Sequence, residues 1–287
     1  MTMTPDPAVE QAADELTRAV LASFDGAPER LRTLARGLVS HLHAFVREND
    51  VTDEEWRHAI GFLTRAGHIT SDVRQEFILL SDVLGVSSLV DILGNARAEG
   101  ATPSAVLGPF YVEGPPELPQ GANISGGLDG ERVLADVTVT DTAGVPVADA
   151  VVDVWQANKD GYYDVQLPDQ EGPVLRGRLR TDAGGRLRFW TILPAPYPIP
   201  DDGPVGELLT AAGRHSMRAP HLHFMIAAPG RRTLVTQLFV EGGDFLDSDA
   251  VFGVKEPIIV PFAEQDGPAP DGRPGPWRRV EFTFRLA

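Results

Sequence analysis

RAPHLHFMIAAPG, residues 218–230, is the stretch that decides the fold. Apolar and polar side chains alternate through it until Pro229-Gly230 stops the pattern, and period two marks a half-buried β-strand. Alternate residues of a strand face the same way, about 7 Å apart. His221 and His223 therefore share one face, and Leu222 and Phe224 take the other. Paired histidines of this kind are either hydrogen-bonded core or half of a metal site, and the choice depends on what other ligands come near.

Outward from this strand, six further segments after residue 102 carry the same rhythm: ERVLADVTVTD, DAVVDVWQA, LRGRLRTD, GRLRFWTIL, TLVTQLFVEG and RRVEFTFRLA. Asp-Gly, Ala-Gly-Val-Pro, Ala-Gly-Gly and Pro-Gly turns separate them. Seven short strands predict an antiparallel β-sandwich. Between residues 8 and 98 the period is helical instead, as in Leu31, Leu34, Leu38, Leu42 and Phe45. Thr52 and Glu55 form a capping box ahead of Trp56, and Ser71 precedes VRQEFILLSDVL, which gives four or five helices. His41, His43, His58 and His68 have no ligand-type partner at i+4 and read as helix decoration. The expected protein is mainly β, with an all-α N-terminal domain over 1–102 and a β-sandwich domain over 103–287. The run at 108–121, rich in glycine and proline, reads as a loop covering the junction.

The chain has 287 residues and a net charge of −16, which argues against nucleic acid and anionic membrane as partners. No apolar run approaches a membrane span, and the start MTMTPDPAVEQ has neither a basic region nor an apolar one, so a cytoplasmic protein is expected. Cysteine is absent, so thiolate nucleophiles, disulfides and thiolate metal sites are all excluded. Any metal must be held by histidine, carboxylate or tyrosinate.

Only four tyrosines occur, at 111, 162, 163 and 197. Tyr162 and Tyr163 follow the turn NKDG, while Tyr197 lies between Pro196 and Pro198 on a stiff backbone that suits a side chain meant to be aimed. Phenolate is a hard anionic donor, so phenols aimed beside an H-x-H strand suggest iron, where zinc and Fe(II) sites more often add carboxylate. The metal must then lower a phenol pKa that is ordinarily about 10.

Four separated segments, AVLGPFYVEGPP, VVDVWQANKDGYYDVQ, RGRLRTDAGGRLRFWTILPAPYPIPDDGPVGELL and GRHSMRAPHLHFMI, together resemble the intradiol ring-cleaving dioxygenases. The likeness runs from about residue 76 to 284. It implies Fe(III) held by Tyr163, Tyr197, His221 and His223, with Tyr162 structural. It further implies that the substrate is a small aromatic diol or triol chelated through adjacent hydroxyls, and that both atoms of O2 enter the ring as it opens. On the same resemblance Tyr197 leaves the metal when substrate binds, Tyr163 stays, Arg218 offsets negative charge that develops on the ring, and Gln237 stands near the substrate.

The resemblance also places a pocket wall at Leu79 and Asp82, which share a helix face at i and i+3, at Val106, Leu107, Gly108, Pro109 and Phe110, and at Ile199 and Pro200. Those apolar residues serve equally well as interdomain core. RQEFILLSDVLGVSSLVD and the YPIPDDGPVG loop look closer to the hydroxyquinol-cleaving branch, whose product is 3-hydroxy-cis,cis-muconate or maleylacetate, than to the catechol or chlorocatechol branches. A homodimer joined through the helical domain, with phospholipid bound there, follows from the resemblance too. Two readings from other classes stand beside it. One is a metal-free β-sandwich binding module. The other is a hydrolytic zinc enzyme, weakened by the lack of an H-E-x-x-H pattern.

Overall fold

The computed structural model describes residues 6–71, 74–95, 99–167 and 170–287. The chain forms two compact units, Met1–Thr64 and Arg65–Ala287.

The first unit contains helix α1 (Pro7–Ala22), helix α2 (Glu29–Glu48) and most of α3 (Asp53–Ile69). Asp6 caps α1 by accepting the Ala8 N–H at 2.9 Å. Arg47 on α2 reaches Glu10 and Asp14 on α1, and Thr17 meets His43 at 2.8 Å. The expected capping box is present: Glu55 accepts the Thr52 N–H at 2.9 Å, and the Thr52 hydroxyl accepts the Glu55 N–H at 3.2 Å. The stripe of Leu31, Leu34, Leu38, Leu42 and Phe45 along α2 is exposed.

In the second unit α4 (Glu76–Val83) and α5 (Val86–Asn95) precede the strands. The helix start expected after Ser71 falls partly on residues 72 and 73, outside the described ones. The strands are β1 (Arg132–Asp141), β2 (Val151–Gln156), β3 (Arg176–Arg180), β4 (Arg186–Ile192), β5 (Tyr197–Pro198), β6 (Met217–Arg218), β7 (His221–Ala227), β8 (Leu234–Val240), β9 (Ile259–Val260), β10 (Phe262–Gln265) and β11 (Trp277–Leu286). Helix α6 (Pro204–Ala211) lies between β5 and β6 in the chain. The order β10-β11-β1-β4 makes one sheet, β3-β2-β7-β8-β9 a second, and β5-β6 a short ribbon. Among the described residues no single helix is long and apolar enough to cross a membrane.

The sandwich core is built from the alternation of both large sheets. Val133, Ala135, Val137 and Val139 of β1 and Leu187 and Phe189 of β4 belong to one cluster with Val152 and Val154 of β2 and Leu222, Phe224 and Ile226 of β7. All seven expected strands form. The expectation of a purely antiparallel sandwich is corrected: β1 pairs with β11 in parallel, and so do β8 and β9. The β1–β11 pair joins the first strand to the last, so no tight hairpin dictates its direction, and the long connection permits either sense. Because Leu222 and Phe224 face the core, His221 and His223 point out of the sandwich on the opposite face of the five-stranded sheet.

Candidate active site

That outer face is where the chemistry gathers. Sheet register sets Trp155 of β2 and Gln237 of β8 on either side of His223 in β7, so all three side chains share the face. The Trp155 ring stacks on the His223 imidazole with centroids 4.5 Å apart and planes 13° apart, which fixes the imidazole's tilt. In the ribbon, Tyr197 pairs directly with Arg218.

Tyr163 is brought in by the turn that precedes it. Gly161 has φ +85, and a Cβ there would sit 3.0 Å from the Pro196 carbonyl oxygen and 3.1 Å from Tyr197 Cβ. Only glycine lets the two tyrosine-bearing loops come this close. Gln166 accepts the Tyr163 N–H at 2.9 Å, and Asp164 forms a buried ion pair with Arg176, which also donates to the Phe110 carbonyl at 3.1 Å. Phe110 in turn stacks on Tyr163, centroids 4.4 Å apart. Tyr162, the neighbouring phenol, is half-exposed and takes no part.

The four candidate ligands converge. His221 Nε2 and His223 Nε2 are 3.0 Å apart, and the Tyr163 hydroxyl is 3.1 Å from His223 Nε2. The Tyr197 ring stands edge-on to that of Tyr163, with centroids 5.2 Å apart. None of the four is more than 2% exposed. His221 Nδ1 donates to the Ala219 carbonyl at 2.6 Å, so the backbone holds that ring with Nε2 toward the cluster, and the Gln237 amide nitrogen lies 3.3 Å from His223 Nδ1. Burial, then the Arg218 charge, pushes His221 well below the usual histidine range. Burial, then His221, Arg218 and Arg176, does the same to His223. Both imidazoles are thus neutral and able to donate a lone pair to a metal. Burial raises the Tyr163 phenol well above its ordinary value, with Tyr197 adding to the rise and Arg218 and Arg176 opposing it. A dry cluster of two phenols and two neutral imidazoles fits a hard, highly charged cation, and the donor set is the one expected for Fe(III).

Arg218 is equally buried. Its Nη1 lies 3.4 Å from the Tyr197 hydroxyl and 3.2 Å from His221 Nε2, and its Nη2 donates to Gln237 Oε1 at 3.0 Å. Burial opposes its charge, but Asp249 and the two phenols outweigh that and hold the guanidinium above its ordinary value.

Of the expected pocket residues, Leu79, Asp82, Pro109, Phe110 and Pro200 line a single cavity of about 60 Å³, together with Arg74, Gln75, Glu76 and Ile78. Ile199 is buried beside Tyr197 in the chain, and Gly108 comes close enough that a Cβ would lie 3.7 Å from His223 Cε1. Val106 contributes its carbonyl, which accepts from Gln237 Nε2 at 2.8 Å. Leu107 is 40% exposed and does not line the cavity. Sequence reasoning missed Trp155, the Asp164–Arg176 pair and Asp249. Trp155 stands in the strand VVDVWQA, whose alternation places it opposite Val152 and Val154, and that alone could have flagged it.

Comparison with known proteins identifies the family. A family model described as catechol dioxygenase N terminus matches residues 28–102, and one described as dioxygenase matches 106–287. A hydroxyquinol 1,2-dioxygenase of Nocardioides simplex is 51% identical over 99% of each sequence, and a catechol 1,2-dioxygenase of Candida albicans is 39% identical over 84% of this chain and 80% of its own. Among solved structures, a hydroxyquinol 1,2-dioxygenase from Pseudomonas putida DLL-E4 superposes with a TM-score of 0.91 at 43% identity, covering 96% of this chain and 99% of that one.

Proposed function

The chain belongs to the intradiol ring-cleaving dioxygenases, and from that premise we propose that it opens hydroxyquinol, benzene-1,2,4-triol, between its adjacent hydroxyls with incorporation of O2. The observation that carries the reading is the buried convergence of Tyr163, Tyr197, His221 and His223 beside Arg218. Tyr163, Tyr197, His221 and His223 would hold Fe(III), which would supply Lewis-acid chemistry toward the substrate hydroxyls.

The remaining roles fall to the protein's own groups. A substrate hydroxyl must lose its proton on binding, and Tyr197 Oη, with Arg218 Nη1 beside it, is placed to take that proton. Arg218 faces the negative charge that builds on the ring, in a site dry enough for the attraction to be strong. Leu79, Pro109, Phe110 and Pro200 clamp a flat ring and exclude water, and Asp82 accepts a hydrogen bond from the third hydroxyl. The division of the chain at 102/103 is supported by the limits of the two family models. A homodimer, joined through the helical domain and holding phospholipid, is supported by the exposed apolar stripe along α2. Native mass measurement before and after solvent extraction tests both dimer and lipid.

Metal analysis and oxygen uptake on the same samples test the central reading. Tyr163→Phe and His223→Ala lose iron and ring cleavage together. Full activity in an iron-depleted Tyr163→Phe protein refutes the ligand assignment, and a colourless, folded wild type that consumes no oxygen points to a binding module instead.

A further inference from the structure

Arg218 carries a role in the reaction, and what aims it is a second buried charge. Asp249, 4% exposed, accepts four donors: Arg218 Nε (3.1 Å) and the Ala219 N–H (3.3 Å) on Oδ1, and Arg218 Nη2 (3.3 Å) and the Gly253 N–H (2.8 Å) on Oδ2. Every acceptor position facing the guanidinium is filled, so the carboxylate has no freedom to swing. A guanidinium is planar and rigid, and gripping one edge sets the direction of the nitrogen left over. Asp249 grips Nε and Nη2, and Gln237 takes the second donor of Nη2. The nitrogen left facing Tyr197 and His221 is Nη1.

The backbone around Asp249 is built for this grip. The Ala250 N–H donates to the Met217 carbonyl at 3.0 Å, which ties the loop to the strand that carries Arg218. The buried Ser88 hydroxyl donates to the Val251 carbonyl at 3.0 Å, and Arg214 donates to the Ala250 carbonyl at 2.9 Å. At Gly253 a Cβ would stand 2.7 Å from Arg218 Nη2 and 3.2 Å from Asp249 Oδ2, so a side chain there would push into the ion pair itself.

We propose that Asp249 is a positioning residue for ring opening, which seats Arg218 by one guanidinium edge so that Nη1 faces the charge developing on the substrate. The inference rests on the dioxygenase reading above. A merely structural ion pair would hold the fold without setting the direction of Nη1, and the two differ in what they do to kcat.

The test uses the iron-loaded enzyme as Asp249→Asn, Arg218→Met and the double variant, with kcat and KM for hydroxyquinol, metal content and melting temperature measured on each. Asp249→Asn is expected to lower kcat by roughly 10- to 100-fold, with KM within about threefold and iron content unchanged, because the lost interaction is one made in the transition state. In the Arg218→Met background the same change is expected to cost nothing more in kcat, since its target is gone. Melting temperature moves differently: each single change strands a buried group, and the double variant recovers part of the loss. Gly253→Ala keeps both charges but displaces the guanidinium, and it is expected to show the same selective fall in kcat, which covers the case of an unfolded Asp249→Asn. Multiplicative losses of kcat in the double variant, or an unaltered kcat in a folded Gly253→Ala, overturn the proposal. A wild type that consumes no oxygen with hydroxyquinol or any catechol brings down the dioxygenase reading beneath it, and is told apart because the melting-temperature coupling of Asp249 and Arg218 persists.

Discussion

Replacing Asp82 by asparagine tests where the choice among catechols is made. Asp82 sits on α4, 5% exposed, in the same small cavity as Leu79, Pro109, Phe110 and Pro200. Burial pushes its carboxyl above the usual range, a hydrogen bond with Ser87 and the Arg218 charge pull it back, and Asp249 adds to the rise. On the proposed role of Asp82, the carboxylate keeps acceptor capacity for a substrate hydroxyl beyond what Ser87 takes. In that role, hydroxyquinol would fill the capacity with its third hydroxyl, and unsubstituted catechol would leave it bare. A buried acceptor without a partner costs about 1–3 kcal/mol, and the share already taken by Ser87 puts the expected value in the lower half, about 1–2 kcal/mol. At 1.36 kcal/mol per tenfold, that is a preference of roughly 5- to 30-fold in kcat/KM.

Asparagine keeps the shape and one oxygen but loses the charge, so the hydroxyquinol-to-catechol ratio of kcat/KM should fall by most of that factor. Oxygen uptake with hydroxyquinol, catechol and 4-chlorocatechol in wild type and Asp82→Asn measures it. Ser87→Ala is the control: if Asp82 only pins the start of α5, removing its partner reproduces the asparagine phenotype. An unchanged ratio in folded, iron-replete Asp82→Asn refutes the reasoning and moves selectivity to the walls at 106–110 and 199–200. A wild type that prefers catechol refutes the hydroxyquinol assignment while leaving the reaction class intact.

Two further predictions concern charges that hold the site and the sandwich together. Asp164→Ala strands the Arg176 guanidinium, whose side chain is 4% exposed, and should destabilise the protein by about 3–5 kcal/mol in urea unfolding at unchanged m-value; a loss below about 1 kcal/mol would count against the pair. Asp136 is pulled down to about 2, because hydrogen bonds from Arg186, Arg279 and Arg188 outweigh the upward push of burial. Its folded value lies below its unfolded one, so its stabilisation is complete above pH ~4 and fades as pH falls toward ~2. The arginines are 31–46% exposed, which screens the contribution to about 1 kcal/mol. Asp136→Asn should therefore flatten the stability profile across that acid window, and a profile as steep as that of wild type refutes the assignment.

Much of this architecture is legible in residue periodicity. The seven longer strands, the helical N-terminal region and the Thr52–Glu55 cap each follow from contacts within a few residues, where side-chain alternation and capping chemistry act directly. The shared face of His221 and His223 follows from strand geometry alone, while the assembly of Tyr163 and Tyr197 beside them came by resemblance. The short strands β5, β6, β9 and β10 escaped, since two to four residues carry no period to read, and so did the two-turn helix α6, which sits inside the proline-rich loop after Tyr197.

What only the tertiary structure decided is whatever depends on partners far apart in the chain. The parallel pairing of β1 with β11 joins residues well over a hundred positions apart, and nothing local selects its direction. Asp249 lies 31 residues beyond Arg218 in a loop of ordinary composition, and Asp164 meets Arg176 across a loop whose path the sequence leaves open. Trp155 reaches His223 only because the β2–β7 register puts them opposite each other. Local sequence sets which way a side chain faces along its own strand or helix, because that is a matter of backbone geometry over neighbouring residues. Which charge or ring it meets across the sheet is settled by packing the whole sandwich, where the gain from burying one core selects a single register out of many.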